Sequence, residues 1–318
     1  MADQRITELT AIAAAAASDL LVLVDMSGTA ITKKITFANL ITSLASAIEL
    51  LAQGTVNGRL TLLSATPLPT TDQTARPIIY FTPYLGNKVG LYNGTSWKLY
   101  TFTEKSISLA GMAANRNYDV FGYASAGTLV IEALAWTSDL ARATALTTRD
   151  GVHVRADDVT RRYLGTFRTT ATIGQCEDSE ARRYVWNLYN QVQRHLFYTA
   201  IDIHIYNSAT ERAWNNNTAH RFQWVQGSAQ SFMTNVCALS STTSGTSTRV
   251  AAGLDVISGG DHRYGVVGQG VANAGSLVGD GGGNMVAPGF HFIQCLQTSS
   301  VTGTNTFFAL ILRGNFLA

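Results

Sequence analysis

The first 54 residues combine two short apolar runs with one longer helical pattern. Residues 20–24 are rich in branched side chains, and residues 31–36 alternate apolar and basic side chains after a turn at 25–29, so together they predict a β-hairpin. A helix is predicted to follow, with Thr36 as its N-cap and Gly54 just past its end. Its apolar residues recur at alternating spacings of four and three; these are Phe37, Ile41, Leu44, Ile48 and Leu51.

This apolar seam, the five residues just given, has two interpretations. It is a heptad pattern with Ile at the a positions and Leu at d, which nominally favours two strands. It spans only about two heptads, fewer than the three or four that indicate a coiled coil. Either the seam packs on the hairpin as part of an ordinary amphipathic helix, or it meets copies of itself around a symmetry axis. The second interpretation makes the five seam residues an oligomer interface.

The next stretch, residues 55–108, predicts a small β module. After a linker-like segment at 67–72, strands are predicted at 78–81, 88–92 and 97–102. Asn93-Gly94 lies between the last two and is a specific hairpin signal, because both residues tolerate positive φ at the centre of a turn. So few strands are not stable alone. The module is therefore expected to pack on a neighbour or on its symmetry mates.

The remaining chain is also mainly β. Residues 109–193 predict further strands, at 128–135 and 152–155, and a second helix over 175–192, capped by Asp178 or Ser179. Residues 194–318 predict a sandwich or barrel, while the Gly-rich stretch 258–283 is expected to form surface loops. The six predicted strands of this last part are 196–206, 219–226, 230–239, 246–257, 290–297 and 305–313.

These patterns together predict a mainly β fold with two short helices. Four domains are expected: a hairpin-helix segment (1–54), the small β module (55–108), a β/helix intermediate domain (109–193) and a jelly-roll-like β-sandwich (194–318). Charged residues make up only 14% of the chain, against about 25% in an average soluble domain. This scarcity fits surfaces buried against other copies of the chain, so a symmetric oligomer is expected. A neutral surface of Ser, Thr, Asn and Gly would also account for it.

Net charge and cysteine use exclude several classes of protein. A net charge of +2 is too small to indicate nucleic acid or an anionic membrane as a partner.

Cys176, Cys237 and Cys295 form no CxxC pair and are odd in number, so buried free thiols in a reducing cytoplasm are expected. No signal peptide is evident, and no run reaches the roughly 20 apolar residues that cross a bilayer.

Candidate catalytic residues are few. Asp202 and His204 lie on one face of a predicted strand, where the carboxylate could orient the imidazole as in a hydrolase, although a plain hydrogen-bonded pair is the simpler explanation. Asp261-His262 could contact a metal or ligand within its Gly-rich loop. The acids of the last third show no spacing diagnostic of a glycosidase pair. We therefore expect no enzyme, no cofactor and no metal.

Aromatic residues near polar loops of the last third suggest one kind of ligand. Trp214, Trp224 and Tyr264 are candidates for stacking against sugar rings. Packing in the core is the alternative explanation for aromatic residues on strands.

Three segments resemble proteins of bacteriophage particles. Residues 19–40 (DLLVLVDMSGTAITKKITFANL) are similar to the N-terminal hairpin-helix of many phage fibre and tail proteins. Residues 77–102 (PIIYFTPYLGNKVGLYNGTSWKLYTF) resemble a small β module recurrent in phage fibres, and residues 150–190 resemble a segment of the same class of virion proteins. The resemblance covers roughly the first 190 residues and implies a trimer, with one end on the particle and the distal domain exposed.

The sequence hypothesis is therefore a non-enzymatic tail fibre or spike subunit of a bacteriophage. It is expected to be a homotrimer, made in the cytoplasm of the bacterial host and found in the virion. Residues 1–54 would bind other tail or capsid proteins, and residues 194–318 would contact a glycan of the host surface. The first alternative is a capsid-bound decoration or head-fibre protein, and the second is a polysaccharide depolymerase.

Overall fold

The N-terminal hairpin and helix form where the sequence predicts them. The computed structural model describes residues 16, 18, 20–25, 31–243, 246–259, 264–267 and 275–318. Strands β1 (Leu20–Asp25) and β2 (Ile31–Thr36) pair antiparallel, and helix α1 spans Phe37–Gly54. The Thr36 hydroxyl accepts a hydrogen bond from the Asn39 amide at 3.1 Å, which confirms the predicted N-cap. The predicted turn at 26–29 lies outside the described residues.

The last turn of α1 is closed by groups that lie outside the helix. Thr55 donates from its amide to the Ala52 carbonyl (3.2 Å) and from its hydroxyl to the Leu51 carbonyl (2.7 Å). The guanidinium of Arg162 donates to the Gln53 carbonyl at 2.8 Å. Since the last carbonyls of a helix have no partners within it, these three bonds supply what α1 lacks.

The small module consists of one three-stranded sheet and one hairpin. Its strands are β3 (Gly58–Thr61), β4 (Gln73–Arg76), β5 (Ile78–Pro83), β6 (Lys88–Tyr92), β7 (Trp97–Thr101) and β8 (Lys105–Ser108). The sheet has the order β3-β5-β8, and β6 pairs with β7 as predicted. The connecting loop has four residues, in which the Asn93 side chain accepts from the amides of Thr95 and Ser96. Only Gly94 of the Asn-Gly pair has positive φ (98°).

Helix α1 is seated on the β6–β7 hairpin through its C-terminal end. Ala52 is fully buried there and packs with Tyr92 and Trp97. The approach is so close that a Cβ on Gly90 would lie 1.6 Å from the Ala52 carbonyl oxygen. A glycine at position 90 is therefore a requirement of this contact.

The intermediate region contains strands where a second helix is predicted. Its strands are β9 (Asn117–Ser125), β10 (Thr128–Ala135), β11 (Leu146–Arg149), β12 (Val152–Arg155), β13 (Asp158–Arg168), β14 (Cys176–Asp178), β15 (Arg182–Arg183) and β16 (Val185–Asn187). The main sheet has the order β10-β9-β13-β12-β11, and β16 also pairs with β13. The helix predicted over 175–192 is wrong, because β14 pairs with β4 and three successive residues, 184–186, are buried. Asp178 binds Arg183 and Arg194 and caps no helix.

The last part of the chain contains all six predicted strands and three more. Its strands are β17 (Gln193–Ile205), β18 (Arg212–Ala213), β19 (Arg221–Gln226), β20 (Gln230–Thr242), β21 (Thr248–Leu254), β22 (Tyr264–Val267), β23 (Gly275–Val286), β24 (Gly289–Ser299) and β25 (Asn305–Leu317). A short 3₁₀ helix, Trp214–Asn216, is the second helical segment of the described chain. The prediction of loops throughout 258–283 is wrong, since β22 and most of β23 lie there. Strand β23 is held by backbone pairing with β20, which needs no apolar side chains.

These strands form a jelly roll. Sheet I has the order β17-β25-β20-β23, and sheet II has the order β22-β21-β24-β19. Counted along the chain without the two-residue β18, sheet I joins strands 1, 8, 3 and 6, and sheet II joins 5, 4, 7 and 2. This is the strand order of a double-sheet jelly roll. The aromatic core between the sheets contains Trp214, Phe222, Trp224, Phe232, Phe307 and Phe316.

The fold class, a mainly β protein with a C-terminal sandwich, is confirmed. Strand pairing also continues from the jelly roll into the preceding regions, since sheet II extends through β15, β14 and β4. The Arg59 guanidinium, in β3, donates to the Ala318 carbonyl at 2.9 Å, so the small module contacts the end of the chain. The boundaries of the four predicted domains stay predictions.

The close contact between α1 and the β6–β7 hairpin predicts that alanine substitutions at two glycines differ in their effect on stability. Gly90→Ala should destabilise the protein by about 1–3 kcal/mol, because the new methyl group overpacks against helix backbone. Gly54→Ala is the matched control, since a Cβ there meets nothing within 4 Å, and alanine favours a helix. Differential scanning calorimetry should show a lower Tm for the first variant only. Equal Tm values would contradict the close contact.

Candidate subunit interfaces

Three residues of the apolar seam of α1 are about half or more exposed beside the described part of the chain. Ile41, Leu44 and Leu51 are 48%, 50% and 63% exposed, and Phe37 is half-buried. The side chain of Ile48 lies outside the described residues. The helix buries Ala52 on the β6–β7 hairpin instead. The described residues therefore leave much of these three seam side chains uncovered.

A second apolar surface lies on the outward side of sheet I, opposite the jelly-roll core. We call it the apolar face. On β17 the side chains alternate strictly, and Ile201 is 85% exposed. The register of the neighbouring strands brings further exposed apolar side chains to the same side. The face contains Ile201, Ile203, Ile205, Met233, Leu239, Met285 and Leu317.

The face carries very little charge. Among the described outward residues of β17, β20 and β25, Arg313 alone carries a full formal charge. Its guanidinium lies 5.9 Å from the centre of the Phe197 ring. A hollow of about 460 Å³ indents the face, and its lining includes Phe197, Met233 and one residue of each charge, Arg313 and Glu180. Like charges across an interface repel, so a nearly neutral face suits contact with an identical copy.

The free energy gained by burying these exposed apolar side chains is large enough to offset much of the cost of association. Full burial of a Leu, Ile or Met side chain gains about 1.5–3 kcal/mol. Association costs about 4–15 kcal/mol in lost translational and rotational freedom. Scaled by the exposed fractions, burial of the seam alone comes close to the lower end of that cost, whereas burial of the apolar face alone exceeds it.

On β17 the apolar side chains point outward and the polar ones inward, which is the reverse of what the sequence suggests. Ile201, Ile203 and Ile205 point outward, while Asp202 and His204 lie between them on the inward side, which is half-buried. Hydrophobic alternation normally assigns the apolar set to the core, so the sequence analysis did not find the apolar face. The signal that could have found it is the Ile-Asp-Ile-His-Ile pattern itself, which places an apolar stripe beside two polar residues that need partners.

The Asp202 carboxylate lies in a hydrogen-bonded cluster with residues of the following loop. The Asn215 amide donates to both of its oxygens, at 2.9 and 2.8 Å, and His220 Nε2 lies 3.1 Å from Oδ2. The bond from Asn215 leads the causes that lower the pKa of Asp202. His204 does not contact this carboxylate, because its Nε2 lies 2.8 Å from the Gln297 side-chain oxygen. The two residues singled out by spacing are therefore not a catalytic pair.

Tyr198, His220 and Asp202 form a hydroxyl–imidazole–carboxylate series. With Nε2–H of His220 donating to Asp202, its Nδ1 accepts from the Tyr198 hydroxyl at 3.1 Å. Such series activate a nucleophile in hydrolases. Burial, and next the charge of Asp202, raise the pKa of Tyr198, which disfavours the reactive phenolate. The series ties β17 to the loop before β19.

The predicted glycan contacts require a correction. Trp214 and Trp224 are fully buried in the jelly-roll core, so their rings offer no face to a sugar, and core packing is the explanation that applies. The side chain of Tyr264 lies outside the described residues, as do Asp261 and His262 entirely.

The three cysteines and the acidic and histidine side chains form neither disulfides nor clusters of metal ligands among the described residues. All three cysteines are free thiols, Cys176 and Cys295 are buried, and Cys237 is half-buried; burial raises the pKa of both buried thiols. Within the described ranges, no group of three or more His, Cys, Asp or Glu could hold a metal ion. The same part of the chain has no helix long and apolar enough to cross a membrane.

Comparison with known proteins adds little. No protein-family model matches the chain, and no curated protein matches it significantly. A chain in the structure of infectious bursal disease virus, Gx strain, is 12% identical, covers 82% of this chain and 69% of its own length, and gives a TM-score of 0.29. A protein crystallised as BuGH86wt with neoagarooctaose is 11% identical over 77% of this chain and 33% of its own, with a TM-score of 0.24. Similarities at this level carry no argument about function.

The two apolar surfaces predict how charged substitutions act on self-association. Leu44→Asp and Ile203→Asp should each weaken it by several kcal/mol, because a charge would be buried in an apolar interface without a partner. The Tm of the single chain should change little, since both side chains are already exposed. The matched controls are Thr42→Asp on α1 and Ile173→Asp on a loop of the intermediate region, where Ile173 is 67% exposed, like Ile203 at 68%.

Sedimentation velocity of the four variants at one concentration measures the effect. The two interface variants should sediment more slowly than the wild type, and the two controls should sediment like it. Unchanged sedimentation of Ile203→Asp would remove the apolar face from the interface, and unchanged sedimentation of Leu44→Asp would remove the seam.

Proposed function

We propose that the chain is a structural subunit of a bacteriophage particle, a homotrimeric tail fibre or spike. The observation that carries the proposal is that one chain leaves two apolar surfaces bare, the seam of α1 and the apolar face of sheet I. Surfaces of this kind mark sites of protein association. The segment that resembles the N-terminal hairpin-helix of phage fibres, residues 19–40, leads directly into the seam.

The jelly roll supports a display role for the last part of the chain. This architecture is common in viral capsid and lectin domains, where it serves as a rigid platform for loops. Strand β25 has 13 residues and so spans about 40 Å. Its far end, Leu317 and Ala318, lies beside Arg59 of the small module. The exposed loop at 300–304 precedes β25, so it lies at the opposite end of the jelly roll from that contact.

The proposal gives the chain no catalytic role. The carboxylates of Asp202 and Asp255 are each held by a histidine, His220 at 3.1 Å and His291 at 2.7 Å. Acids with such fixed partners are suited to holding loops in place. A capsid-bound decoration or head-fibre protein would use the same two surfaces, and the number of copies per particle separates it from a tail fibre.

Electron microscopy of tagged particles tests the proposal. An epitope inserted between Thr302 and Gly303 avoids the buried end of the chain, where Ala318 is bound by Arg59. Bound antibody should project from the particle surface, and quantitative mass spectrometry should count a few to a few tens of chains for a tail fibre. Hundreds of copies would indicate decoration instead. A tag found only inside the capsid, or in no particle at all, would contradict a displayed structural subunit.

A further inference from the structure

A cleft rich in arginine lies on the outward side of sheet II, where the intermediate sheet packs against the jelly roll. Its volume is about 370 Å³, and its lining includes Arg168, Arg182 and Arg221 together with Tyr184 and Phe290. None of the described residues that line it is a carboxylate. This cationic cleft, as we call it, belongs to neither apolar surface.

Strand pairing brings the three guanidinium groups together. Strand β15 runs parallel to β19, with Arg182 opposite Gln223. Arg221 lies two residues before Gln223 and therefore on the same side of the sheet. Arg168 approaches from the end of β13, and its guanidinium lies 3.7 Å from the centre of the Phe290 ring. The arrangement thus draws one arginine from each of three strands.

The guanidinium groups of Arg168 and Arg182 are held in position by hydrogen bonds to neighbouring side chains. Arg168 donates to Asp139 at 2.6 Å and to the Asn117 side chain at 2.8 Å, and Arg182 donates to Glu177 at 3.0 Å. Burial chiefly lowers the pKa of Arg221, and the charges of Arg182 and Arg168 lower it further. Three cations that repel one another across a cleft favour an added anion between them. Fixed side chains also reduce the entropy lost when a ligand binds.

We propose that the cationic cleft binds an acidic sugar, the carboxylate- or phosphate-bearing unit of a glycan. A guanidinium group can bind such an anion through two parallel hydrogen bonds. The ring of Phe290 offers an apolar surface to a pyranose, while Asn115 and Thr170 at the rim can bond its hydroxyl groups. The volume lies at the small end of the range for ligand pockets, which suits a short saccharide.

The location of the cleft fits its use in an assembly. It lies on sheet II, and the apolar face lies on the outward side of sheet I, so the two surfaces point in opposite directions. Covering the apolar face with a second copy would leave the cleft open to solvent. The inference rests on the proposed function, to which it adds a ligand class, but the two can fail separately, because binding is measured on the purified chain and display on the particle.

Titration calorimetry of the full chain with a small set of probes tests the cleft. The acidic probes are trigalacturonate, a glucuronate disaccharide, a sugar phosphate and sialyllactose; maltotriose is the neutral probe and inorganic phosphate the free anion. At least one acidic saccharide should bind the wild type with a Kd below about 1 mM, and the affinity should fall as salt is added. Maltotriose should not bind.

Two variants that each remove one positive charge locate the binding. Arg221→Gln should weaken the acidic saccharide by at least about tenfold, the loss expected for a charge-assisted contact. Arg249→Gln, on the exposed side of β21 and outside the cleft, should bind like the wild type. The Tm of each variant verifies that it is folded.

Three results would overturn the inference. The first is that no acidic saccharide binds the wild type. The second is that maltotriose or inorganic phosphate binds as tightly as the best acidic saccharide, which would remove the requirement for a charged sugar. The third is that Arg249→Gln weakens binding as much as Arg221→Gln does, which would place the anion elsewhere on the surface.

Discussion

The buried guanidinium of Arg162 is the contact on which the placement of α1 depends. It donates to the carbonyl of Gln53 at the helix end (2.8 Å) and to that of Gly90 in β6 (2.7 Å), and the ring of Tyr189 lies 4.8 Å away. Burial lowers the pKa of Arg162, but the negative end of the helix dipole and the aromatic ring both favour its charge. Because the helix is held by its last turn, most of its seam remains free for another partner.

Strand β17 of the jelly roll also leaves apolar side chains uncovered. On β17 the polar Asp202 and His204 have inward partners, while three isoleucines face outward. An isolated chain gains nothing from this inversion, since it exposes the apolar set and must satisfy buried polar groups. An assembled chain gains from it, because the isoleucines become the interior of an interface. The cationic cleft on the opposite sheet would then be the surface that remains exposed.

The local patterns of the sequence predicted the elements whose formation depends on local chemistry. The hairpin and helix, the β6–β7 hairpin and six of the jelly-roll strands follow from alternation, capping and turn residues. The helix predicted at 175–192 failed because Tyr184 and Trp186 are buried by strands far away in the chain. Strand β23 was missed because glycine carries no pattern, and the apolar face was missed because a strand's register, not its composition, decides which side faces the core. The convergence of Arg168, Arg182 and Arg221 likewise depends on pairing that no spacing reveals.

We propose that three copies of the chain cover one another's apolar surfaces. The most direct test is the mass of the wild-type protein in solution, measured by multi-angle light scattering after size exclusion at micromolar concentration. The account predicts one species with three times the chain mass of 34.1 kDa. A species of 34.1 kDa would contradict it, and would mean that the seam and the apolar face stay exposed in the free protein.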